Sequence, residues 1–272
     1  MIELSVGLEW RRVQNGLRSN TPQLVSLIIA VLCGMGVLVA AMLALIDLRF
    51  SFDASVARTA VIIGGSVVIL GWAILPVIAY GIDETLDPAR FATYAVPRRQ
   101  LVLGLMLSSL VSVPGAVTAI LGMATVITWS RSLLAVVVAP VAAGIAVLTC
   151  VALSRVTSAA SFAMSRRRGG KEAVLLLMLL SSLGFGVASS AIMKAVSKPG
   201  LLSQVADVLG WTPLGLAWAA PADMVDGAIG SGRLRLARAL VVLVGALMRA
   251  DALVRGPRRI PPAAAGAPRA RG

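Results

Sequence analysis

The chain has no histidine and only two cysteines, Cys33 and Cys150, among its 272 residues. Without imidazole it lacks the usual general base, the commonest zinc ligand and every catalytic triad built on histidine. Both cysteines sit inside apolar runs, where a thiol behaves as a small buried hydrophobe, so they report neither a disulfide framework nor a redox compartment. Charge is scarce too: Asp, Glu, Lys and Arg make up 14% of the chain, against about 25% in ordinary soluble domains. Hydrophobic residues reach 58% before the 26 glycines are counted, and mean hydropathy is +0.91. Those proportions exclude a water-soluble globule and a disordered chain. The net charge is +13, but the 25 Lys and Arg residues are spread beside long uncharged stretches instead of forming one patch. That pattern points away from nucleic acid and toward membrane topology.

A bilayer span needs about 20 apolar residues at 1.5 Å each. Five uncharged stretches qualify: Leu24 to Ile46, Ala60 to Ile82, Leu101 to Ser130, Ser132 to Ser154 and Ala173 to Met193. Pro114-Gly115 near the middle of the third is read as a kink. The first run starts only after 23 polar and amphipathic residues and has full span length, so a cleavable signal peptide is not expected. Basic residues alternate along the chain. Arg11, Arg12 and Arg18 precede the first span, Arg49 and Arg58 follow it, and Arg90, Arg98 and Arg99 follow the second. Arg131 alone follows the third, Arg155, Arg166, Arg167, Arg168 and Lys171 the fourth, and Lys194 and Lys198 the fifth. The bias of basic residues toward the cytoplasm puts the N-terminus there.

The segments between spans carry the rest of the information. Ile2, Val6, Trp10, Val13 and Leu17 fall on one side of a helical wheel with Arg11, Arg12, Asn15 and Arg18 opposite, the pattern of an interfacial helix over residues 1–23. Leu4 and Leu8 fall off that face, as an irregular lead-in would have them. After the second span stands Asp83-Glu84-Thr85-Leu86-Asp87-Pro88-Ala89-Arg90-Phe91, then Tyr94, Pro97, Arg98 and Arg99. Asp87 before Pro88 is a helix start, and Pro97 ends it. One reading is a solvated loop whose charges set topology; the other is a short cytoplasmic helix that docks on a partner through Phe91 and Tyr94. Arg155 to Glu172 reads as a polar, basic loop, and Gly169-Gly170-Lys171 is no phosphate-binding loop, because Ser165 and Glu172 stand where glycine and Ser or Thr are required. Trp211 and Trp218, among Pro213 and Pro221, suit the membrane boundary. Near the end only Ala239 to Met248 is apolar, about half a span. After Arg255 the chain is almost wholly Pro, Ala, Gly and Arg, and the basic tail over residues 249–272 is expected to be disordered.

No HExxH or GxSxG motif and no paired acids within a span are present, so an enzyme is the weakest class. Charge-free spans also weigh against ion-coupled transport, which places carboxylates inside the membrane. The combination resembles the transmembrane subunits, or permeases, of bacterial type-2 ATP-binding-cassette exporters. The resemblance lies in Asp83 to Phe91 with Val96-Pro97-Arg98-Arg99-Gln100-Leu101, in Ser165-Arg166-Arg167-Arg168, and in Leu209-Gly210-Trp211-Thr212-Pro213-Leu214-Gly215 with Ala219-Ala220-Pro221. It covers roughly residues 1 to 248.

The resemblance implies an all-α, polytopic integral membrane protein of the bacterial plasma membrane, multi-pass with a cytoplasmic N-terminus. Five transmembrane helices and a marginal or truncated sixth would occupy the permease domain, residues 24–248. The loop bearing Asp83, Glu84, Asp87, Pro88, Arg90, Phe91, Tyr94, Arg98 and Arg99 would touch a separately encoded ATPase, and a second permease half, identical or not, would complete the path. Beyond the bilayer and those subunits no partner is implied; ATP would be hydrolysed by the ATPase, and no cofactor, metal or catalytic residue belongs to this chain. Lys194 to Gly232 would form an outer segment before the sixth helix, and Gly34, Gly36, Gly64, Gly65 and Gly71 would let helices approach closely. A non-transporting membrane scaffold and an ion-coupled secondary carrier are the alternatives. The sixth helix departs from the pattern: Leu234 to Leu253 brings in Arg238, Arg249 and Asp251, so it is expected to insert poorly by itself, as if the chain were truncated or altered past Met248. The competing expectation for it is a short amphipathic helix on the outer interface.

Overall fold

A computed structural model describes residues 21–82, 112–165, 172, 176, 179–180 and 199–254. Among these residues there are seven helices and no strand: α1 (Thr21–Phe50), α2 (Ala54–Ile82), α3 (Val113–Thr128), α4 (Leu133–Ser165), α5 (Pro199–Leu209), α6 (Leu216–Val225) and α7 (Ile229–Val254). The all-α class is as expected. Three helices contain stretches long and apolar enough to cross a bilayer by length and composition: Val31–Phe50, Ala54–Pro76 and Leu133–Ser161. Five spans were expected. The expected third lies partly, and the fifth almost wholly, outside the described residues, as does the expected interfacial helix up to residue 20.

Local chemistry explains several boundaries. α1 ends with Arg49 in its last turn, where a cation faces the free carbonyls of the helix end. Ser112 caps α3: its hydroxyl accepts from the Gly115 N–H at 3.3 Å, and Pro114 occupies the first turn, where it forfeits no helical hydrogen bond. Pro114-Gly115 thus opens the described helix, and the first part of the expected third span, up to residue 111, lies outside the described residues. Ser132 does the same for α4, accepting from the Ala135 N–H at 3.2 Å. α4 then runs through Arg155 to Ser165, eleven residues beyond the expected end at Ser154. The expected loop from Arg155 is therefore helical over its first part. α7 is continuous for 26 residues, about 39 Å of helix, and passes Met248 by six residues.

α4 lies at the centre, packed against α2, α3, α6 and α7. Its buried face is Ala135, Ala139, Ala142, Ala143, Ala146, Val147 and Cys150, side chains small enough for four neighbours to approach closely. α1 packs mainly on α3 and leaves most of its apolar surface exposed, including Leu32, Met35, Val37 and Leu43. The α1–α2 and α3–α4 connections meet at one end of the bundle. There Arg131 Nη2 donates to the carbonyls of Leu48 at 2.8 Å, Arg49 at 3.1 Å and Phe52 at 2.6 Å, capping the C-terminus of α1 from another hairpin. Arg49 returns the tie, donating through Nε to Ser130 Oγ at 3.0 Å.

Candidate functional site

The charges that define a site gather at this same loop end. α6 and α7 form a helical hairpin whose turn passes through Gly227, a residue at φ +74°, where only glycine is unstrained. The hairpin is tight: a Cβ on Gly232 would stand 3.1 Å from the Ala220 carbonyl. It therefore brings Asp223 of α6 against Arg235 of α7, with Nη1 donating to Oδ1 at 3.1 Å. Arg58, one turn into α2, donates through Nη1 to the same Asp223 oxygen at 2.8 Å and to Asp226 Oδ2 at 3.1 Å, and its Nη2 lies 3.5 Å from Asp207 of α5. Two guanidinium groups and three carboxylates from four helices thus form one network.

Asp223 and Arg235 are both buried, a placement that is tolerable only because each compensates the other. Arg235 also lies over the Trp211 ring at 4.5 Å, and the exposed Arg238 over the same ring at 5.3 Å. These contacts give two of the charges near the start of α7 an aromatic face to lie on.

Below the network, α6 fills the interior. Every residue from Leu216 to Met224 is buried, with α2, α4 and α7 around it. Trp218 is covered by protein and so has no face free for the membrane boundary its proline-rich setting suggested, whereas Trp211 is half exposed and lies under Arg235 and Arg238. The indole of Trp218 lies on Gly65 of α2, where a Cβ would come within 2.5 Å of three ring atoms. Gly65 is seven residues beyond Arg58, about 10 Å deeper along α2. Gly34 packs similarly against Val113 and Val117 of α3, whereas Gly36, Gly64 and Gly71 have open space where a Cβ would point.

The residues expected to contact an ATPase, Asp83, Glu84, Asp87, Pro88, Arg90, Phe91, Tyr94, Arg98 and Arg99, lie outside the described residues. The expected outer segment is described from Pro199 onward, and it supplies Asp207, Asp223 and Asp226 to the network. Sequence reasoning takes Arg58 as a topology signal and gives Asp223 no role. One signal was available: an arginine heading an apolar helix requires a partner, and the nearest carboxylates before Arg235, Asp223 and Asp226, stand just ahead of Gly227. Comparison with protein-family models, with curated proteins and with solved structures returns no match to this chain.

Proposed function

We propose that the chain is the membrane-spanning permease subunit of an ATP-driven exporter, working with a separately encoded ATPase and a second permease half in a bacterial plasma membrane. The observation that carries this reading is α6, a ten-residue helix buried among α2, α4 and α7. Short, interrupted helices inside apolar bundles are a device of transporters, because irregular backbone at that depth is tolerated only within protein or beside a polar path. The Asp83 to Arg99 segment adds the resemblance already described.

Purified alone, the chain should hydrolyse no ATP. Isolated gently from native membranes, it should bring with it an ATPase at about one copy per permease, as expected of a partner docked by a helix with buried anchors. With that partner, Asp87→Pro or Phe91→Ala should reduce transport more than membrane insertion. A buried aromatic anchor contributes about 2 kcal/mol, enough to lower partner occupancy more than tenfold. Full transport by both variants at equal abundance would remove the docking helix from the proposal.

The orientation is part of the same reading and is tested separately. In a cysteine-free background, Ala54→Cys should react with an impermeant maleimide in intact cells, and Thr93→Cys and Gly169→Cys only after lysis. Labelling of Thr93→Cys in intact cells inverts the topology.

One observation favours the ion-coupled carrier instead, namely the buried carboxylate of Asp223. Two arginines already hold it, so it needs no transported cation to balance its charge. Transport that survives ATP depletion but stops when ion gradients are collapsed would decide for the carrier.

A further inference from the structure

The ion pairs at the loop end differ in what their breakage leaves behind. Side-chain exposure is 5% at Arg235 and 4% at Asp223, 19% at Arg58, 48% at Asp226 and 64% at Asp207. Pulling Arg235 from Asp223 would strand a guanidinium in the interior, the most expensive way to break a pair. Pulling Arg58 from Asp223 strands nothing. Asp223 keeps Arg235, and Arg58 keeps exposed carboxylates or water, whose pairs are individually weak.

The surface below Arg58 has the same character. Between α2 and α6 the indole of Trp218 lies flat on the glycine backbone at Gly65. Ser66 Oγ beside it and Trp218 Nε1 are buried and make no hydrogen bond. The face is apolar and can part without breaking a polar tie at those two atoms. On its other side α6 is bound to α7 by the Gly227 turn, the close approach at Gly232 and the buried pair.

We propose that the loop end opens along the seam between α2 and α6, with Arg58 as its latch and the α6–α7 hairpin moving as one body. Opening releases Arg58 from Asp223 and Asp226, which travel with the hairpin, to Asp207 or solvent, while Asp223 remains with Arg235. The inference goes beyond the exporter reading and needs no substrate, so its failure leaves that reading standing.

The test measures two distances by electron–electron double resonance on the full chain in lipid nanodiscs, with Cys33→Ser and Cys150→Ala as background. One spin-label pair, Ser55→Cys with Ala228→Cys, spans the seam from exposed positions. The other, Pro213→Cys with Leu240→Cys, also at exposed positions, joins α7 to the turn that leads into α6, a turn tied to that helix by the hydrogen bond from Leu216 N–H to the Thr212 carbonyl. Arg58→Gln should raise the longer-distance population of the seam pair about tenfold, as expected for losing one charge-assisted hydrogen bond, and leave the other pair unchanged. Arg58→Lys, which keeps the charge, should restore most of the short distance. An unchanged seam distance in Arg58→Gln, or equal lengthening of both pairs, overturns the proposal. Should Arg58→Gln not fold, Asp226→Asn replaces it, because it removes an exposed partner that Arg58 has only while the seam is closed and leaves the buried pair intact. A longer seam distance in that variant supports the latch, and none overturns it.

Discussion

Replacing Asp223 with alanine should destabilise the chain more than any other single change at the loop end. The substitution leaves Arg235 buried without an opposite charge and deprives Arg58 of its closest partner. Breaking a buried pair from one side costs about 3–5 kcal/mol, a large share of the roughly 5–15 kcal/mol that holds a folded domain. The measurement is the temperature at which half of the detergent-solubilised protein is lost from its monodisperse peak. A fall of roughly 10 °C or more is expected for a chain of this size. Asp223→Ala with Arg235→Met should recover much of the loss, because an apolar side chain of similar volume removes the stranded charge. Equal losses in the single and double variants would mean that Asp223 matters for packing and that its charge is incidental.

The same pair answers the difficulty posed by the sixth apolar segment. In isolation Leu234 to Leu253 carries Arg235, Arg238 and Arg249 with too short an apolar stretch between them, and poor insertion by itself remains the expectation. In the folded chain Arg235 is matched within the α6–α7 hairpin, and Arg238 rests on Trp211. The charge that counts against the helix alone is therefore part of what ties it to α6. Hydropathy scores one segment at a time and cannot see a partner supplied by its neighbour.

Other elements were legible to different degrees, for reasons visible in particular residues. α1 and α2 contain the first two uncharged runs, because length and apolarity alone define such helices. The end of α4 was misplaced because Arg155 looked like the start of a loop. A single arginine does not stop a helix, and the next residues, Val156 to Ser165, contain neither Gly nor Pro. At α3 the cue for the helix start stands in the sequence, since Ser112 two residues ahead of Pro114 is a cap followed by a first-turn proline. The network itself was out of reach in full. Arg58 and Asp223 are 165 residues apart, and no local pattern pairs residues at that separation. Only the Asp223–Arg235 half could have been found, from the hairpin turn between them.

Glycine substitutions along α2 should change sign from one residue to the next. In a helix interior alanine is favoured over glycine by about 0.5–1 kcal/mol, because glycine loses more backbone freedom on folding. At Gly64 and Gly71 a Cβ would meet nothing within 4 Å, so Gly64→Ala and Gly71→Ala should leave stability unchanged or raise it by about that amount. At Gly65 the same methyl would stand 2.5 Å from the Cγ, Cδ1 and Cδ2 atoms of Trp218. An indole is rigid and cannot bend an end away, so the ring or the whole of α6 must move. Overpacking of this kind costs about 1–3 kcal/mol, which outweighs the helix-propensity gain. Gly65→Ala should therefore lower the thermal midpoint in detergent while its neighbour Gly64→Ala does not. Trp218→Leu should be destabilising alone, because it opens space in the core, yet Gly65→Ala should do less harm in that background than in the native one. A deficit at Gly65 that is the same with Trp218 and with leucine would show that the glycine is required for something other than the ring, and the flat contact between α2 and α6 would lose its standing as the slip face of the seam.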